Sequence, residues 1–263
     1  MTTSSRSNVK AGPMSGRNST DIADVRPIER PEATALAERE VARMAAALRA
    51  LSPEDWTRST DCPEWDVRAM AGHVLGMTET FSGLGRFTST MRAGGKRAGD
   101  GPFIDGLTAV QVDATAELGT AALVDRLEAV GPVAARWRAR RRLMRHIPMK
   151  EEVGGAKETW RMGYLVDIVL TRDTWMHRSD IANATGKPME LTVDHDGRIV
   201  ADAAAEWGRR HGQPCTLHLT GPVGGTFVQG DGGPELTIDA VDFCRILSGR
   251  GTGEGLLAQQ VPF

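Results

Sequence analysis

The sequence predicts a mainly α protein: a helical bundle followed by a small α+β domain. Three observations predict it. Alanine is abundant and aromatics are scarce, with six Trp, six Phe and one Tyr in 263 residues, a balance that favours helix. Apolar residues recur at spacings of three and four through most of residues 28–187, the period of a helix with one buried face. From residue 188 onward the pattern gives way to alternating runs separated by Gly and Pro, which is the signature of short strands.

Residues 1–27 are rich in Ser, Thr, Asn, Gly and Arg and carry no apolar period, so a disordered tail is expected there. Pro31 opens the first helix, whose stripe is Ala37, Val41, Met44, Leu48 and Leu51. Prolines and acids between Ser52 and Asp66 mark a connection with a helix cap at Asp66. The second helix is expected from Val67 to Phe87, with Val67, Met70, Val74, Met77 and Phe81 on its buried face. Residues 83–102 hold six glycines and four basic residues and read as a mobile loop. Helical periodicity returns over 105–118, breaks at Gly119 and resumes over 121–144. Residues 150–157 read as another loop, and the last helix of the bundle runs from Met162 to Ala184, stopped by Gly186 and Pro188. Beyond it lie a helix over 194–210, three alternating runs (215–220, 226–229 and 235–238) read as an antiparallel sheet, and a short helix from Ala240 to Leu247.

The charge balance narrows the function. Lys+Arg is 32 and Asp+Glu is 34, which argues against nucleic-acid binding as the main activity. The run from Arg136 to Arg142, with Arg145 beyond it, reads as the solvated basic end of a helix. No apolar run approaches the ~20 residues of a membrane helix, and no secretory signal is visible, so a cytoplasmic protein without membrane partners is expected. Cys62, Cys215 and Cys244 are too widely spaced for a Cys-x-x-Cys zinc site; buried free thiols are expected. The Gly-rich segments 221–225 and 230–234 lack the Gly-Lys-Ser/Thr of a phosphate loop and read as hairpin turns.

One stretch carries polar residues inside an apolar stripe. On the helix over 162–184, Val166, Val169, Leu170, Asp173, His177, Asp180 and Ile181 share an arc of about 120°. Burying a carboxylate and an imidazole is costly unless they pair or hold a metal. Asp173 and His177 are four residues apart and so reach a common point. They form either a structural Asp–His pair or two ligands of a metal site in a helical bundle. His73, at the edge of the second helix's buried face, is the best candidate for a third ligand. Two imidazoles and a carboxylate suit zinc, with a position open for water or a thiolate; the same set also holds non-haem iron. Asp180 either orients His177 or competes with Asp173 as the carboxylate ligand.

Around these residues the chain resembles a family. Residues Thr60 to His73 read T-x-C-x-x-W-x-V-x-x-x-x-x-H, similar to the segment leading into the second helix of the mycothiol-dependent maleylpyruvate isomerases. Residues Arg172 to Ile181, with an acid four before His177 and Asp-Ile after it, resemble that family's second block. Residues 230–250 resemble its sterol-carrier-like C-terminal domain. The resemblance implies a DinB-like four-helix bundle and a divalent metal, usually zinc, held by His73, Asp173 and His177. One departure stands out: the family's central acid is often Glu, and here it is the shorter Asp173.

The implied chemistry is activation of mycothiol, the small thiol of actinobacteria, as co-substrate. A metal ion deprotonates a coordinated thiol, and in a maleylpyruvate-type reaction the thiolate adds to a conjugated cis double bond, which rotates before elimination. The resemblance thus implies an isomerase or S-transferase acting on a small electrophile, expected to be acidic. Arg250 is the matched candidate for a catalytic guanidinium fork on a substrate carboxylate, with Arg172 and Arg178 as weaker candidates. A non-catalytic small-ligand-binding protein with a structural Asp–His pair is the alternative. Oligomeric state is not legible in the sequence.

Overall fold

The computed structural model describes residues 19–263, so the first eighteen positions of the expected tail lie outside the described residues. Part of the stretch expected to be tail is regular structure. Thr20–Asp21 form a strand, β1, paired with a C-terminal strand, and buried Ile22 follows it. Ile22 packs in the core of the C-terminal domain, which fixes this segment despite its polar composition.

Helices α1 (Arg30–Arg49), α2 (Val67–Thr80), α5 (Thr120–Arg140) and α7 (Leu170–Thr185) form the bundle. Met44, Leu48, Met70, Leu75, Leu123, Leu127 and Ile181 meet in its core. The expected stripes of α1 and α2 are buried, except that Leu51 and Met77 lie at the margin.

Two segments expected to be loops are regular structure. Leu84–Ala98 is helix α3, packed against α4 (Phe103–Thr115). The glycines that suggested a mobile loop permit this contact. A Cβ on Gly106 would lie 2.4 Å from Ala98 N and Gly94 O, and one on Gly94 would lie 3.0 Å from Leu107 Cα. Only side-chain-free residues let the two backbones approach so closely. The second correction is the hairpin β2 (Pro148–Val153) and β3 (Ala156–Arg161), joined at Gly154-Gly155, both with positive φ. A two-residue Gly-Gly turn of this kind suits the right-handed twist of paired strands.

After the hairpin come helix α6 (Met162–Tyr164) and a π-helical turn (Leu165–Val169) that leads directly into α7. Such wide turns re-aim the side chains that follow them. Gly186 ends α7 in the left-handed conformation.

The C-terminal domain consists of α8 (Asp196–His211), strands β4 (Cys215–Thr220), β5 (Gly225–Gln229) and β6 (Glu235–Asp239), and α9 (Ala240–Leu247). The sheet order is β1-β5-β4-β6. The expected antiparallel sheet is in fact mixed: β4 pairs with β5 antiparallel, but β4–β6 and β1–β5 are parallel. The outer edge of β5 is taken by β1, so β6 adds to the free edge of β4 and runs the same way as β4. Trp207, Leu217 and Phe243 lie in the core beneath the two helices.

The bundle and this domain are joined by buried ion pairs. Arg178 on α7 donates to Glu40 Oε1 on α1 at 2.7 Å and to Asp196 Oδ1 on α8 at 2.5 Å. Arg172 donates to Asp202 at 2.6 Å and Glu206 at 2.8 Å. Both arginines are therefore engaged across the domain boundary, and neither offers a free fork to a substrate. Burial raises the carboxyl groups of Asp196 and Glu206, but the Thr192 amide and Arg178 at Asp196, and Arg172 at Glu206, outweigh it, leaving both below the ordinary range. A depressed folded-state pKa stabilises the protein above the unfolded value, near ~4, and that stability is lost as pH falls through the folded value. The contribution of these pairs to the urea midpoint is therefore expected to be constant above about pH 5 and to fall below about pH 4. A midpoint unchanged to pH 3 would show that these pairs do not couple the domains.

Arg136, Arg140, Arg141 and Arg142 of the basic run are exposed at the end of α5, as expected, and Arg138 alone is buried among them. Arg136 faces Glu38 at 3.6 Å, Arg138 is buried, Arg141 lies 5.0 Å from the Trp137 ring and Arg145 pairs with Asp167. Among the described residues no helix is long and apolar enough to cross a membrane.

Candidate metal centre

Local structure at the start of α2 sets the position of His73. The Asp66 side chain caps the helix by accepting from Ala69 N at 2.7 Å. Thr60 Oγ1 donates to Trp65 O at 2.8 Å, which closes the preceding loop. This places the Trp65 ring 4.8 Å from His73 and 6.1 Å from His177. The T-x-C-x-x-W segment thus builds an aromatic wall against two imidazoles.

His73, Asp173 and His177 converge, each with a donor atom within 4.8 Å of the other two. His177 Nε2 lies 3.3 Å from Asp173 Oδ1, and His73 Nε2 lies 3.9 Å from Asp173 Oδ2. Both rings are buried, while 23% of the Asp173 side chain remains exposed. The predicted residues are therefore brought together from α2 and α7, and the site keeps one accessible carboxylate.

The electrostatics separate the two imidazoles. Burial pushes His73 down to about 4, against the opposing pull of Asp173. Burial also disfavours charge on His177, but Asp173 and Asp180 outweigh it and raise the ring to about 9. Burial raises Asp173 as well, yet His177 and His73 hold it at about 2. His73 is thus a neutral imidazole. Its Nδ1 has no hydrogen-bond partner, and its Nε2 lies beyond hydrogen-bonding reach of Asp173. A buried imidazole nitrogen without a partner is costly, and the other nitrogen, Nε2, faces Asp173 and is free to take a cation. Tetrahedral zinc, with bonds of about 2.0–2.1 Å, sets neighbouring ligand atoms roughly 3.4 Å apart, close to the separations here. The residues fit a divalent ion.

Asp180 is not the exposed acid of this group. It is fully buried, and His177 Nδ1 lies 3.2 Å from its Oδ2. Arg250 donates to both of its oxygens at 2.7 Å, and Arg245 adds a bond at 3.2 Å. An Nδ1–H donated to Asp180 leaves His177 Nε2 free to face Asp173 and His73. The Arg250 fork, expected to meet a substrate carboxylate, is closed on Asp180 in this structure. Replacing Asp180 with Asn should weaken zinc affinity by about 10–100-fold, read by competition against a chromophoric chelator. Unchanged affinity would mean that His177 needs no orienting carboxylate.

Sequence reasoning missed several neighbours. Cys62 is half-buried and shares a cluster with His177 and Asp180, although all three thiols were expected to be buried; Cys215 and Cys244 are. Burial pushes the Cys62 thiol up. Trp65 and Cys62 were legible as fixed positions of the motif, but their contacts with the imidazoles depend on the loop's closure. Arg245, which also pairs with Asp61 at 2.7 Å, had no sequence signal. A further cluster, Glu40, His195 and Asp196, also escaped notice. It is not a comparable cation site, because Arg178 reaches both carboxylates and Arg43 donates to Asp196 at 2.8 Å.

Residues 37–182 match the family model described as the mycothiol maleylpyruvate isomerase N-terminal domain. The match spans more than half of the chain and contains His73, Asp173 and His177; Arg250 lies beyond it. No curated protein matches the chain. In fold the chain is similar to the crystal structure of the mycothiol-dependent maleylpyruvate isomerase, with 15% identity and a TM-score of 0.53 over 89% of this chain and 93% of the other. The crystal structure of a histidine-to-alanine mutant of the mycothiol-dependent maleylpyruvate isomerase gives 15% identity and a TM-score of 0.52 over the same shares. A helical bundle followed by a small α+β domain is thus an architecture shared with solved proteins.

Proposed function

The chain belongs to the family of the mycothiol maleylpyruvate isomerase N-terminal domain, and from that premise we propose that it is a divalent-metal- and mycothiol-dependent enzyme, an isomerase or S-transferase of a small electrophile. The observation that carries the metal part is the convergence of three donor atoms from His73, Asp173 and His177, with His73 a buried, neutral imidazole. His73, Asp173 and His177 would hold the ion, which supplies the positive charge that turns a thiol into a thiolate at neutral pH.

The chain's own residues do the rest. Asp180 fixes the tautomer of His177, and Arg245 and Arg250 hold Asp180 in place. In this reading Arg250 is a positioning residue acting from the second domain through Asp180. Trp65 stacks over His73 and excludes water from one side of the site. Asp173, with its exposed edge, marks the side from which thiol and electrophile approach.

The test is mycothiol consumption or cis–trans isomerisation by purified protein with zinc, after chelation and after restoration of the metal. Activity that needs both mycothiol and metal supports the proposal. Turnover that survives complete chelation, or that no thiol stimulates, contradicts it and favours the metal-free binding protein.

A further inference from the structure

A cavity of about 1010 Å³ opens beside Asp173. Much of its wall is apolar and comes from several parts of the fold. Met77 belongs to α2 and Phe81 follows its last turn, Met91 belongs to α3 and Leu107 to α4, while the hairpin contributes Met149 and Trp160. Phe103 and Ile104, also in the wall, are 46% and 53% exposed, so the cavity has an apolar mouth. Exposed apolar surface continuous with a pocket is a mark of ligand binding.

The charged residues of this wall are four acids, Glu151, Glu152, Glu158 and Asp173, and two lysines, Lys150 and Lys157. Burial follows the alternation of the hairpin strands: Met149, Glu151, Glu158 and Trp160 are partly buried, whereas Lys150 and Lys157 are exposed. Glu151 is desolvated, which raises its carboxyl group. Glu158 is held by Arg210 at 2.5 and 3.1 Å and by Trp160 Nε1 at 2.7 Å. Asp173 completes the acidic set. Neither Arg245 nor Arg250 lines the cavity, and both are committed to Asp180. Both lysines sit on exposed strand positions, so a dianion in the apolar interior would have only the ion at His73, Asp173 and His177 to receive it, and its second charge would be desolvated unpaired.

We propose that, if the thiol-dependent reading above holds, the electrophile is uncharged and largely apolar: an aromatic or aliphatic α,β-unsaturated ketone or ester, not a small dicarboxylate. The expected reaction is conjugate addition. The thiolate lone pair forms the S–C bond at the β-carbon, and the π pair of the double bond moves toward the carbonyl oxygen. The proton lost by the thiol returns from solvent to the α-carbon, so no oxidant or reductant is required. The Met and aromatic walls accept varied apolar shapes, and the carboxylates discriminate against anions.

The test uses the full chain with a neutral fluorescent probe, N-phenyl-1-naphthylamine, with and without zinc. Saturable binding at about one probe per chain is expected in both states, with displacement by 4-phenyl-3-buten-2-one and none by maleate at tenfold higher concentration. Met149→Glu and the surface variant Phe103→Glu should each weaken probe binding about fivefold or more, with zinc stoichiometry unchanged. With zinc and mycothiol, the enone should be consumed faster than maleate. No saturable probe binding by the folded chain, or stronger displacement by maleate than by the enone, overturns the proposal. Enone binding without any mycothiol consumption overturns the thiol-dependent reading beneath it. Mycothiol-dependent turnover of dicarboxylates alone overturns only the substrate class.

Discussion

Replacing His177 with alanine is expected to empty the site of metal and to lower mycothiol-dependent turnover by about three orders of magnitude or more. Metal-assisted stabilisation is worth several kcal/mol, and each ~1.4 kcal/mol is tenfold in rate. His177 is the residue through which the two halves of the site connect: its Nε2 faces Asp173 at 3.3 Å and its Nδ1 faces Asp180 at 3.2 Å. Without the ring, Asp173 loses its nearest partner, while Asp180 keeps Arg245 and Arg250. The fold should therefore survive while the site fails. His73→Ala should behave alike, since His73 is one of the three converging donors. Elemental analysis and single-turnover kinetics on the folded variants check this. Full metal occupancy and wild-type turnover in either variant would leave a structural Asp–His pair as the better account.

The largest stability effect is expected from Arg178→Ala. Arg178 is 2% exposed and bonds Glu40 on α1 and Asp196 on α8, both fully buried. Removing the cation leaves two carboxylates in the interior with less compensation, a loss of roughly 3–5 kcal/mol for a broken buried pair. Arg43 still reaches Asp196 and His195 still reaches Glu40 at 2.7 Å, which places the effect toward the lower end of that range. Urea unfolding monitored by tryptophan fluorescence measures it. A loss below about 1 kcal/mol, the range of exposed pairs, would show that solvent reaches this network.

The parts of the fold that were legible are those whose local pattern agrees with their packing. α1, α2 and α9 carry a helical stripe and bury it, and Asp66 caps α2 as its sequence context suggests. Errors arose where one local signal serves two structures. Glycines in α3 and α4 resemble loop residues until the partner helix is present, and then they are the contact surface. The Gly154-Gly155 turn was mistaken for a loop because the flanking strands carry charge on their exposed positions. The candidate ligands were legible for a different reason: polar residues inside an apolar stripe must be explained by something else buried. Arg250 shows the limit of that logic. Its position in sequence suggested a clamp, but its partner is decided by α7 and α9 meeting in space, and that partner is Asp180.

The central claim is that His73, Asp173 and His177 jointly hold a divalent ion. The most direct measurement is elemental analysis of the purified full chain, followed by X-ray absorption at the metal edge. The account predicts about one zinc per chain, with a first shell of two imidazole nitrogens and light oxygen donors at roughly 2.0–2.1 Å. Protein that stays below about one-tenth of a zinc per chain after incubation with excess metal, or a first shell dominated by sulfur at roughly 2.3 Å, would contradict it.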